Sequence, residues 1–160
     1  MKNKLFLVAF ACVLLAGCSL VQPSNVNVNG VTSVPSNTVL DLSNQGLTKV
    51  PEYIFNMTNL QELNISNNQL TGAIQSQIGQ LKKLKVLNAS NNLMTGVPAE
   101  VGQLTNLQIL DLSNNQLTGL PNELANLKNL KIFNISGNNY STQDLNGIIQ
   151  KLPTSVNIIK

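Results

Sequence analysis

The chain has 160 residues, a length suited to one domain, of which 11% are charged and 4% aromatic, with no histidine and no tryptophan. All ten basic residues are lysines, set against seven carboxylates. The missing histidine excludes Ser-His-Asp and Cys-His catalysis and imidazole metal ligation, and the missing arginine removes the bidentate clamps common at nucleotide and nucleic-acid sites.

The amino terminus reads as an address. Lys2 and Lys4 precede an apolar run from Leu5 to Ala16, too short to span a bilayer comfortably and suited to the centre of a secretory signal. The run closes on Leu15-Ala16-Gly17-Cys18, an aliphatic residue, two small ones and a cysteine. This ending resembles the lipobox of bacterial lipoproteins. The resemblance implies a signal peptide over 1–17, cleavage before Cys18, and a lipidated Cys18 anchoring an extracytoplasmic protein to a bacterial membrane, inner or outer undetermined. Burying acyl chains contributes about 0.8 kcal/mol per methylene, so a multiply acylated cysteine holds firmly. Cleavage removes Lys2 and Lys4 and leaves eight lysines against seven carboxylates, lowering the net charge from +3 to +1. So small a net charge does not steer nucleic acid, which is not expected as a partner. Cys12 also leaves, so the mature chain has no second cysteine with which to form a disulfide.

Residues 18–36 follow as the lipidated cysteine and a flexible tether, uncharged and without helical period. As a coil the tether reaches roughly 20–25 Å, and about 60 Å when stretched. Valines alternate with polar residues over 25–31, a pattern compatible with one capping strand.

Self-similarity dominates the rest. Leu60-Gln61-Glu62-Leu63-Asn64-Ile65-Ser66-Asn67-Asn68-Gln69-Leu70 recurs from Leu84, Leu107 and Leu130, at spacings of 24, 23 and 23 residues. A degenerate copy from about Asn37 contains Leu40-Asp41-Leu42-Ser43-Asn44-Gln45-Gly46-Leu47. Alternation in a short strand sends Leu63 and Ile65 inward and Glu62, Asn64 and Ser66 outward. The asparagine after the strand (Asn68, Asn92, Asn115, Asn138) carries donors and an acceptor suited to a narrow turn, and stacking makes these four a structural ladder. Gln45 stands there in the first copy. Val50-Pro51, Val97-Pro98 and Leu120-Pro121 then start short helical or 3₁₀ segments. The second copy has Gln75 in place of proline and one additional residue, expected to shift the convex side locally. Ser141-Thr142-Gln143-Asp144 reads as a capping box opening a helix to about Lys151, stopped by Pro153, with Val156–Ile159 as a last edge strand.

This L-x-x-L-x-L-x-x-N-x-L pattern resembles the leucine-rich-repeat family over about 37–160. The resemblance implies an α/β solenoid: a short right-handed coil with a parallel concave sheet and a helical C-terminal cap at 141–160, in five coils from about 37, 60, 84, 107 and 130. It also implies that a partner binds on the concave face. The candidate residues there are Val39, Glu62, Val86, Ile109 and Ile132 in a first column, and Asp41, Asn64, Asn88, Asp111 and Asn134 in a second. Asp41 and Asp111, three coils apart, are separated by roughly 14 Å, too far for a glycosidase pair. The expectation is therefore a membrane-anchored leucine-rich-repeat lipoprotein acting as a protein–protein interaction or recognition module, bound to an unknown protein through its concave face and to a membrane through Cys18. No enzymatic activity, cofactor or metal is expected, and the chain is expected to be a monomer. The alternative is a structural envelope or surface-coat spacer without a specific ligand.

Overall fold

The computed structural model describes residues 38–160. The expected signal peptide, Cys18, the expected tether and the suggested strand over 25–31 lie outside the described residues.

Among the described residues eight short strands follow one another: β1 (Val39–Asp41), β2 (Glu62–Asn64), β3 (Thr71–Gly72), β4 (Val86–Asn88), β5 (Leu93–Met94), β6 (Ile109–Asp111), β7 (Ile132–Asn134) and β8 (Asn157–Ile159). Six of them form one parallel sheet in the order β1-β2-β4-β6-β7-β8. Each pairing joins equivalent repeat positions, so Leu40, Leu63, Leu87, Leu110, Phe133 and Ile158 align in one inward column. The expected last strand is present as β8.

A coil of 23 or 24 residues must leave the sheet, cross the back and return, so no strand of the main sheet exceeds three residues. The crossing is made by 3₁₀ segments at Glu52–Asn56, Ser76–Gln80, Ala99–Gln103 and Asn122–Asn126. Pro51, Pro98 and Pro121 precede three of them with φ of −61°, −71° and −70°, the value the pyrrolidine ring imposes. Each segment buries its third residue, Ile54, Ile78, Val101 or Leu124, against leucines from the strand side. Leu60, Leu63, Leu84, Leu87, Leu107 and Leu110 are wholly excluded from solvent. Full burial of such a side chain contributes about 1.5–3 kcal/mol, repeated coil after coil.

The second copy's 3₁₀ segment packs less extensively against that of the first copy than the later segments pack against one another, the local shift of the convex side that the additional residue implies. Gln75 occupies the proline position at φ −62° with its amide donated to Val50 O at 2.6 Å. The additional residue is absorbed at Gly72, whose φ of +68° suits glycine. Thr71–Gly72 then pairs with Leu93–Met94 as a second, two-stranded sheet, and Gly72 O accepts from the Thr95 and Gly96 N–H groups. The register of the main sheet passes through this copy unbroken.

The coil stack ends on α1 (Thr142–Ile149). Ser141 Oγ accepts the Asp144 N–H at 3.3 Å, the forward half of the expected box. The helix stops two residues before Lys151, because Leu152, preceding Pro153, is disfavoured in helical geometry. The chain tightens there instead, with Lys151 N–H on Ile148 O and Leu152 N–H on both Ile148 O and Ile149 O. Leu145 and Ile148 close the end of the core.

Candidate functional site

The outward strand positions line up as two columns. Val39 pairs with Glu62, Glu62 with Val86, Val86 with Ile109 and Ile109 with Ile132, after which Asn157 extends the row. Two residues on, Asp41, Asn64, Asn88, Asp111, Asn134 and Ile159 form the second row. Val39 is 53% exposed and Glu62 is exposed, whereas Val86, Ile109 and Ile132 are half-buried, shielded by one another and by their neighbours. The first column is thus an apolar strip over three adjacent coils with one carboxylate beyond its amino-terminal end.

The second column has a local task. Oδ1 of Asp41, Asn64, Asn88, Asp111 and Asn134 accepts the backbone N–H of the serine two residues later, at 2.9, 3.1, 3.1, 2.9 and 3.2 Å. In the last three coils the same oxygen also accepts the serine hydroxyl, at 2.8, 2.6 and 2.9 Å. These are Asx turns, which need a carbonyl or carboxylate oxygen and nothing else. That requirement explains why aspartate and asparagine exchange freely here. The remaining carboxylate oxygen or amide nitrogen is left for other contacts, as where Asn134 Nδ2 donates to Asp111 Oδ2 at 3.1 Å. The Ser43 N–H and hydroxyl, with a smaller contribution from Asn64, hold the Asp41 carboxyl below its ordinary pKa against a raising effect of desolvation.

The third position corrects the alternation rule. Ser66, Ser90 and Ser113 are buried rather than outward. The strands end two residues before these serines, at Asn64, Asn88 and Asp111, so the serines already belong to the turn.

Inside the turn the four asparagines that follow the strands bind backbone of two coils. Asn92 Nδ2 donates to Ala89 O and Ser90 O of its own coil and Ile65 O of the preceding one, while its Oδ1 accepts the Leu70 N–H. Asn68, Asn115 and Asn138 repeat this pattern. Their amides are consumed by backbone and offer nothing to a ligand.

A further column escapes simple sequence reading. Asn44, Asn67, Asn91 and Asn114 adopt φ of 58°, 53°, 54° and 52°, and Gly137 takes the same repeat position at 67°. Asparagine is the non-glycine residue best suited to this left-handed region, and the exchange of asparagine for glycine between copies is the signal that marks it.

A family model described as a leucine-rich repeat region matches residues 10–153. No curated protein sequence matches the chain. Among solved structures, a leucine-rich-repeat protein of Leptospira interrogans is 38% identical with a TM-score of 0.66, over 71% of this chain and 28% of that one. The leucine-rich-repeat ectodomain of the receptor kinase SOBIR1 of Arabidopsis thaliana is 31% identical with a TM-score of 0.61, over 75% of this chain and 65% of that one. The plant peptide hormone receptor RGFR1, in complex with RGF2, is 31% identical with a TM-score of 0.57, over 69% of this chain and 18% of that one. This chain thus spans less than two thirds of the length of each of these proteins. Its repeat, its register and the family model agree, and the chain belongs to the leucine-rich-repeat family.

Proposed function

We propose that the protein is a lipoprotein tethered through Cys18 to a bacterial membrane, where its leucine-rich-repeat domain recognises a protein partner on its concave face. The domain plan that goes with this reading is a signal peptide over 1–17, a lipidated tether over 18–36 and the repeat domain over 37–160. The observation that carries recognition is the half-buried strip of Val86, Ile109 and Ile132, in register on three neighbouring strands. Contiguous apolar surface of this kind loses water when a partner covers it. The complex of the plant receptor RGFR1 with RGF2 supports a peptide or protein as the class of ligand. The reading assigns the protein no catalytic step; its work is binding.

One observation favours the spacer alternative: the second column spends an oxygen per residue on its own turn, so that much of the face is structural. Capture experiments separate the two. The full chain should retain a partner from envelope extracts, and Ile109→Glu, which sets a charge in the middle of the strip, should lose it. Equal retention by both chains would favour the spacer. Acyl labelling tests the anchor independently: Cys18→Ala should abolish it, and normal labelling of that variant would end the lipoprotein reading.

A further inference from the structure

The charges of the described domain are sorted by side. Six of its eight lysines (Lys82, Lys83, Lys85, Lys128, Lys131 and Lys151) are exposed on the connections that lead from a 3₁₀ segment, or from α1, into the next strand. Those connections, residues 57–61, 81–85, 104–108, 127–131 and 150–156, contain no aspartate or glutamate. The carboxylates lie elsewhere: Glu52, Glu100 and Glu123 open 3₁₀ segments, Asp41, Glu62 and Asp111 are on the concave strands, and Asp144 is in the first turn of α1.

The flank is not neutralised by pairing. Among the described residues the only ion pair is Lys49–Glu52, at 3.8 Å and away from this side. The flank lysines contact neutral acceptors, most of them on a neighbouring coil. Lys83 Nζ donates to Asn59 Oδ1 at 2.7 Å, Lys85 Nζ to Gln61 Oε1 at 2.7 Å, and Lys128 Nζ to the Ala125 and Lys151 carbonyls at 2.8 and 2.6 Å. Lys82 leans toward the convex side, where it bonds Gln103 Oε1 and shares a shallow groove with Glu100, so it contributes least. Strands in a sheet are about 4.8 Å apart, which places the Lys83/Lys85 loop roughly 10 Å from the Lys128/Lys131 loop. This is close to the Debye length at physiological salt, about 8 Å, so the fields of the two clusters overlap.

We propose that this flank is a docking strip for a linear anionic glycan, sulfated or carboxylated. The lysines run in a line along the solenoid, which fits a chain-like ligand. The uncharged positions between them are filled by Thr105, Asn106, Gln108 and Asn129. Asn106 and Asn129 donate their amides to Lys82 O and Thr105 O, which leaves their Oδ1 atoms, the Thr105 hydroxyl and the Gln108 amide for sugar hydroxyls. Among the described residues the exposed large apolar side chains, Val39, Tyr53, Leu93 and Ile159, all lie elsewhere, so the strip itself presents charge and polar groups rather than an apolar anchor. With no arginine in the chain, each contact is a point charge without the fork that reads base edges. The strip is separate from the apolar column and does not rest on the concave-face reading.

The test uses the full chain and heparin as probe. Wild type should bind heparin at physiological salt and release it as salt rises, while neutral dextran is not bound. Lys83→Gln, Lys85→Gln and Lys131→Gln together should weaken binding at least about tenfold and flatten its salt dependence. The corresponding triple arginine variant should bind as wild type does, and Lys49→Gln should change nothing. No heparin binding, or equal binding by the glutamine and wild-type chains, would overturn the proposal. So would loss of binding in the arginine variant, which keeps the charge. Lysine-dependent capture on phosphatidylglycerol vesicles without heparin binding would replace the glycan with a membrane surface.

Discussion

Two columns of asparagine and aspartate side chains flank the same turn and teach opposite lessons. The ladder column, exemplified by Asn92, is buried and spends both ends of its amide on backbone of two coils. The Asx column, exemplified by Asn88, is half-exposed and spends one oxygen on its own coil. The Asx column recurs in all five coils and the ladder in four, so recurrence alone does not separate structure from surface. What separates them is how many polar atoms remain free once the backbone is satisfied.

Substitution should sharpen that contrast. The largest effect is expected for Asn92→Ala, which strands the Leu70 N–H and three carbonyl contacts in a buried turn and should cost about 1–3 kcal/mol. An unchanged chemical-melt midpoint would break the ladder assignment. Asn88→Ala should cost less, about 0.5–1.5 kcal/mol, because solvent reaches the groups it leaves behind. A loss equal to that of Asn92→Ala would erase the distinction between the columns.

The smallest effect is one of pH. The Asp41 carboxyl is held low by Ser43 and Asn64, so its folded pKa lies below its unfolded one. Its contribution to stability is therefore complete above the unfolded value of about 3.9 and is lost as pH falls through the folded value. Asp41→Asn should remove a small part of the acid sensitivity of the melt below about pH 4 and leave the neutral midpoint nearly unchanged. A steeper acid dependence in the variant would reverse the sign of the argument.

Much of this architecture is legible in the sequence because each coil repeats one pattern. The strand register, the ladder and the proline-led crossings follow from the positions of leucine, asparagine and proline. Alternation fails at Ser66, Ser90 and Ser113 because the chain has already left the sheet, and a period-2 rule does not contain the strand's end. The pairing of Thr71–Gly72 with Leu93–Met94 depends on an insertion that only stacking interprets. The helix end depends on a proline acting on the residue before it. The lysine flank is hidden for another reason: net charge sums over sides that the fold separates, so a domain with nearly balanced charge still carries one basic edge.

The claim that the concave strip is a recognition surface is tested most directly by replacing Val86, Ile109 and Ile132 together with threonine. Threonine keeps the β-branched shape that favours strands and removes apolar contact. Melting midpoint and partner affinity are then measured on the same preparation, with Gln80→Thr and Gln103→Thr on the convex side as control. Because the three side chains are half-buried, the account predicts a stability loss of up to about 1 kcal/mol per site, a loss of affinity far larger than that, and a control indistinguishable from wild type. Unchanged affinity in the concave variant would contradict it and leave the solenoid as a spacer.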